Sequence, residues 1–394
     1  MAKLGGFGGF GGFGGFGGFG GFGGFGGNGG FGGFGGSLAD GFANPVTMSA
    51  LVTHRDGTIE PKREPIKLDP ANQDELQLER WEPWVRASIA LQDLLSEVSV
   101  EKDKAGVVTV HSRTAKTIEG KNTFVARLSR PARPETFVAQ THKVLSWAEL
   151  REERAAEILG QIDNQFAFLA AAVGLSPART PRTLELLAVA IQFAVNVEMR
   201  VKHELACWRP AEYSPQVQPM VTTPGHGSLP SGHATQAYLA VRVLEILLKL
   251  KPFVAGQPDK PDRKNSTQVS VQLQRQAARI ATNRVIAGVH FPIDSIAGRS
   301  LGTALGEFFA VRAGAPAGIL RQGYAFIGEK VDGAHESVEF HPAIQPLGVA
   351  TTKPPFYDRS ADLGSLGTSV VLKHMWLKAN SEWLGRFGLK KKQP

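Results

Sequence analysis

Cysteine is almost missing from this 394-residue chain: the one thiol, Cys207, leaves no partner for an internal disulfide framework, and its apolar neighbours mark it as packed rather than reactive. Long apolar runs are missing too. The best one, Ala237 to Leu250, is broken by Arg242, Glu245 and Lys249, short of the about 18 uninterrupted apolar residues that a membrane-spanning helix needs. The N-terminus lacks the basic, apolar, small-residue order of a secretory leader, so a cytoplasmic location is expected. There is no zinc-finger spacing, basic helix or RNP-type aromatic motif, so the formal charge of +8 reads as a mild pull on anions and not as a nucleic-acid footprint. Hydrophobic residues make up 42% of the chain, enough for a sizeable core.

What is present begins with a strict Gly-Gly-Phe repeat over residues 5–36. Two glycines per triplet make ordering too costly for helix or strand, so residues 1–36 are expected to be a disordered tail whose phenylalanines serve either as weak association points or not at all. Prolines at 45, 61, 65 and 70 predict an extended segment from Ser37 to about Gln77, followed by a helix over 81–95. The β-branched stretches Val107–Ser112 and Thr123–Leu128 predict a small peripheral hairpin.

From Ser146 the pattern turns helical. Ser146 and Glu149 have capping-box spacing, and Ile158, Ile162, Phe166 and Leu169 give one apolar face in a helix lasting to about Val173. Thr180-Pro181 reads as an N-cap with Pro at the first helical position, opening a helix that runs to Trp208 or Arg209 and stops at Pro210. Further helices are expected from Ser231 to Leu250, Val269 to Ala287, Asp294 to Arg312 and Leu372 to Leu384. The fold class is therefore mainly α, a helical bundle with minor β. Its segments are the tail, a covering region (37–145), a catalytic bundle (146–312) and a C-terminal extension (313–394).

Three stretches carry chemistry. Lys202 and Arg209, seven residues apart on one predicted helix, share a face among apolar neighbours where an unpartnered cation is costly. Either an anion sits nearby or the two make salt bridges to residues such as Glu198 or Glu204. In SLPSGHA (228–234), Ser231 is an N-cap, Gly232 lets backbone approach a ligand, and the helix mouth with His233 presents an anion site beside a group able to give and take a proton. In NRVIAGVHFPID (283–294), Arg284 closes a helix, Gly288 permits a turn, and Asp294 is placed to fix the tautomer of His290. Together these supply three cations, neutral donors and two imidazoles for a tetrahedral oxyanion.

The pattern KHELACWRP, PSGH and NRVIAGVHFPID resembles that of the vanadium-dependent haloperoxidases and the type 2 phosphatidic acid phosphatases. It spans residues 202–294, roughly a quarter of the chain, and departs from the family at Asn283, where the pattern has serine. The resemblance implies a bundle of the haloperoxidase/acid phosphatase type, with Lys202, Arg209, Ser231, Gly232 and Arg284 on the oxyanion's equatorial oxygens. It makes His233 the acid–base group, and His290 either the ligand of vanadate or the phosphorylated nucleophile of a phosphatase.

Trp208 before Arg209, and His226 seven residues before His233, tilt the resemblance toward a bromide- or iodide-oxidising haloperoxidase. Such an enzyme needs vanadate, hydrogen peroxide and halide, with an organic acceptor in some cases, and no haem or nucleotide cofactor; family members are often dimers. A soluble acid phosphatase acting on phosphate monoesters is the alternative, and a catalytically idle assembly protein a third.

Overall fold

The computed structural model describes residues 45–58, 75–114, 123–163, 165–250, 266–316, 319–320, 322–342, 345, 347, 355–387 and 389. The Gly-Gly-Phe repeat lies outside them. In chain order the described elements are α1 (Pro45–Thr58), α2 (Glu75–Arg80), α3 (Pro83–Ser96), β1 (Val98–Lys102), β2 (Val108–Ser112), β3 (Ala126–Leu128), α4 (Pro134–Trp147), α5 (Arg151–Asp163), α6 (Phe166–Val173), α7 (Pro181–Leu205), α8 (Pro210–Tyr213), α9 (Gly232–Leu247), α10 (Ser266–Ile286), α11 (Pro292–Arg312), β4 (Gln322–Phe326), β5 (Tyr357–Asp362) and α12 (Val370–Ser381). The protein is mainly helical with a small sheet, as the residue pattern implies.

The core is built on α7, α9, α10 and α11, and α9 with α11 form the most extensive helix pair. A stripe of glycines explains how close they come. A Cβ at Gly298 would lie 2.7 Å from the carbonyl of Ser231, one at Gly302 would lie 2.2 Å from the carbonyl of Thr235, and one at Gly306 would lie 3.0 Å from that of Leu239. At i, i+4, i+8 these three residues form one face of α11, which admits the backbone of α9 at a distance that no larger residue allows. α3 and α12 cover α7, while α5 and α6 lie against α10.

Several helix starts share a device: Pro83, Pro134, Pro181 and Pro292 each occupy a first turn, where the missing N–H has no helical partner to lose. At α7 the cap differs from expectation. The Thr180 hydroxyl donates to the carbonyl of Ser176, and the free N–H groups of Arg182 (2.7 Å) and Thr183 (2.9 Å) are taken by the carboxylate of Glu382, just beyond α12.

Four other expectations change. Residues 45–58 and 75–80 are helical where an extended segment was expected, because Pro45 opens a helix; the rest of that segment lies outside the described residues. The stretch from Ser146 to Val173 is not one helix. Ser146 sits in the last turn of α4, which begins twelve residues earlier at Pro134, and a tight turn at Ala148–Leu150 separates α4 from α5. The strands at 108–112 and 126–128 do pair antiparallel, yet they are not peripheral: β4 adds to β3 in parallel, making a five-stranded sheet in the order β1-β2-β3-β4-β5. That parallel pairing joins segments separated by the whole helical core, and β3 and β4 both pack on α11.

Finally, α7 stops at Leu205. Ala206 takes a left-handed conformation (φ 48°) and its N–H bonds the carbonyl of Lys202, while the proline that follows Arg209 holds that residue extended (φ −91°, ψ 160°). Lys202 and Arg209 are therefore not on one helix. Trp208, between the two, is 66% exposed rather than packed in the core.

Candidate functional site

Although they do not share a helix, Lys202 and Arg209 meet at one loop. The N–H of Ser228 bonds the carbonyl of Cys207 (2.9 Å), pinning residues 226–230 across the end of α7. Lys202 Nζ donates to the carbonyls of Gly227 (3.3 Å), Ser228 (3.2 Å) and Pro230. Arg209 donates through Nε to the carbonyl of His226 (3.0 Å) and through Nη1 to that of Val289 (2.7 Å). Both side chains are buried, and backbone dipoles stand where the sequence pointed to a counter-ion.

Arg209 also joins two imidazoles. Its Nη2 lies 3.2 Å from His226 Nδ1 and its Nη1 3.4 Å from His290 Nε2. His290 Nδ1 is 3.0 Å from Asp294 Oδ2, which takes the ring proton and leaves Nε2 with its lone pair toward the guanidinium. Asp294 Oδ2 also accepts from Ser228 Oγ and from the N–H of Phe291 (2.9 Å). Burial raises the Asp294 carboxyl to about 6, opposed by these bonds and by Lys202. Burial and the fields of Arg209 and Lys202 hold His290 well below the usual imidazole range, so the ring is neutral.

Ser231 caps α9 as expected, its hydroxyl accepting from the N–H of Ala234 (3.4 Å), and its own N–H bonds the carbonyl of Asp294 (2.9 Å). His233 is buried, and its Nε2 donates to the main-chain carbonyl of Gln161 on α5 (3.1 Å), leaving Nδ1 to exchange a proton. Burial and then Arg284 push it well below the usual range as well. Arg284, lowered to about 10 by burial, donates through Nη2 to the carbonyl of Ile158 (2.8 Å), and its buried Nε has no partner.

Gly232 has a different task from the one expected. A Cβ there would lie 2.7 Å from Oε1 of Glu198, so the absent side chain makes room for a carboxylate of α7 rather than for a ligand. Glu198 stands one turn before Lys202. Its Oε1 accepts from Gln236 Nε2 (3.0 Å), its buried Oε2 is unpartnered, and burial raises its carboxyl while Lys202 opposes the rise. Glu204 makes no such approach; its carbonyl accepts from Lys102 (2.6 Å). Cys207 is buried, its thiol pushed up to about 12, consistent with a packed side chain.

The structure thus gathers Lys202, Arg209, His226, Ser231, Gly232, His233, Arg284, His290 and Asp294 around one region. Sequence reasoning missed Gln161 and Ser228, and had Glu198 only as a possible salt-bridge partner of the two cations. Gln161 had a signal: it interrupts the apolar side of α5 next to Ile158 and Ile162. Asn283, the residue that departs from the family pattern, donates through Nδ2 to Gln161 Oε1 (3.0 Å) and to Glu157 (3.1 Å), so it is tied into the site rather than idle.

Among the described residues no helix is long and apolar enough to cross a membrane. No curated protein matches the chain. Residues 183–313, which run from the first turn of α7 to the end of α11 and hold every sequence-derived site residue, match the family model of the PAP2 superfamily, whose members are generally enzymes, phosphatases and haloperoxidases among them.

Proposed function

We propose that the protein is a vanadium-dependent haloperoxidase that favours bromide or iodide. The observation that carries this reading is the Arg209 guanidinium set between His226 and His290: a third imidazole, beyond His290 and His233, borders the site where a phosphatase needs only a nucleophile and an acid–base group. The donor set fits vanadate. Three cations surround the region, and the orphaned Arg284 Nε is a buried donor in want of an anionic acceptor. His290 Nε2, fixed as the unprotonated nitrogen by Asp294, is the one neutral ligand.

Vanadate, when bound, supplies a Lewis-acid centre that activates hydrogen peroxide for two-electron oxidation of halide without an electron carrier. The chain does the rest. Lys202, Arg209 and Arg284 neutralise the oxyanion in a buried setting where each charge acts strongly. His290 anchors it, and His233 Nδ1 accepts and returns the proton that peroxide gives up. His226, partly exposed beside Arg209, supplies a further imidazole able to exchange a proton at the edge of the site.

Bromide-dependent bromination of phenol red by protein loaded with orthovanadate and supplied with peroxide is the expected result. Hydrolysis of p-nitrophenyl phosphate by vanadate-free protein, with vanadate acting only as inhibitor and no bromination, would replace this reading with the phosphatase, in which His290 Nε2 attacks phosphorus.

A further inference from the structure

We propose that Gln161, on α5, is a further oxyanion-binding residue that donates through its side-chain Nε2; this rests on the oxyanion reading of the pocket. The side chain is fully buried, and its amide orientation is set by two donors. Oε1 accepts from Asn283 Nδ2 (3.0 Å) and Arg284 Nη2 (3.3 Å), so Nε2 is the end left over. That Nε2 has no acceptor, and neither has the Nε of the arginine bonded to the same amide. Two orphaned donors on hydrogen-bonded neighbours form a pair that an anion with several oxygens satisfies at once, and buried donors in proteins are nearly always satisfied.

Gln161 also touches the acid–base residue. Its main-chain carbonyl takes the Nε2 proton of His233 (3.1 Å), so a single residue positions Arg284 with one atom and sets the His233 tautomer with another. A purely structural bridge needs only those two oxygens. The amide nitrogen is surplus to that role, and it is the atom assigned to the ligand. Gln161 lies ahead of the span matched by the superfamily model.

The test uses the full chain labelled with nitrogen-15. The Gln161 side-chain amide resonance, identified by its absence in Gln161→Leu, is followed as inorganic phosphate and then orthovanadate are added. It is expected to shift and saturate with the anion. Gln161→Leu is expected to weaken phosphate binding by roughly 10-fold while circular dichroism stays that of the wild type. Gln161→Glu keeps the acceptor for Asn283 and Arg284 but removes the donor, and is expected to weaken binding further. A resonance that does not move while the wild type binds phosphate overturns the assignment of Gln161 alone. A wild type that binds neither phosphate nor vanadate overturns the oxyanion reading with it.

Discussion

Nδ1 of His290 and Oδ2 of Asp294 stand 3.0 Å apart across one turn at the start of α11, and this contact decides which nitrogen of the ring is available. Because Asp294 also accepts from Ser228 and from the N–H of Phe291, the carboxylate cannot turn away. The direction of the imidazole is thus set by two segments of chain, 290–294 and the loop that holds Ser228.

Replacing that carboxylate by an amide tests the tautomer. Because Ser228, the N–H of Phe291 and His290 all meet Oδ2, Asp294→Asn offers them either a neutral amide oxygen, a weaker acceptor, or an N–H that loses all three bonds, and both weaken the hold on the Nδ1 proton. Retention of vanadate on gel filtration is expected to fall by roughly 10- to 100-fold, the usual effect of removing such an outer partner. His290→Ala should abolish it. Retention equal to the wild type in either variant would mean that the ligand is elsewhere.

His226 should affect turnover more than loading. It meets Arg209 from the side opposite His290, and Arg209 retains its bonds to the carbonyls of His226, Gly227 and Val289 when the ring is removed. His226→Ala is expected to lower bromide kcat by about 10-fold or more with vanadate affinity little changed. Equal loss in both measurements would contradict the role assigned.

His233 gives the acid branch of stability a definite sign. Its folded pKa lies below the ordinary 6.5, so the stability it contributes is complete above that value and is lost as pH falls toward the folded one. Urea unfolding of wild type and His233→Asn between pH 7.5 and 5 should show the difference in stability moving against the wild type by up to about 1.4 kcal/mol per pH unit below 6.5. Subtraction removes the contributions of Asp294 and Glu198. A difference independent of pH would rule out a neutral, buried ring.

Gly302→Ala places a methyl 2.2 Å from the carbonyl of Thr235, deeper than side-chain adjustment can absorb. A loss of about 3 kcal/mol is expected, together with weaker phosphate binding, because α9 must move and takes Ser231 and His233 with it. Thermal melts and phosphate titration check both. Gly364→Ala, which has open space but a positive φ of 69°, should cost far less and leave binding unchanged.

The parts of the site legible in the sequence were those with short-range signals. Ser231 as N-cap, the left-handed turn at Gly288 (φ 82°) and the i, i+4 pair of His290 and Asp294 follow from spacing alone. Lys202 and Arg209 converge for a reason that spacing misrepresented: α7 ends at Leu205, before Arg209, and a loop beginning 17 residues beyond Arg209 accepts bonds from both. The pairing of β3 with β4, and Glu382 over the first turn of α7, join positions about 200 residues apart, which no local periodicity encodes. Gly298, Gly302 and Gly306 were visible as letters, but a small-residue face gains meaning only once its neighbour is known.

α5 supplies contacts to both His233 and Arg284, yet it lies wholly before residue 183, where the match to known sequences starts. A recombinant fragment trimmed to the recognisable stretch would keep the motifs and lose the wall they lean on. The boundary of the matched span and the boundary of the candidate site are different lines, and here the second runs through a helix that no motif marks.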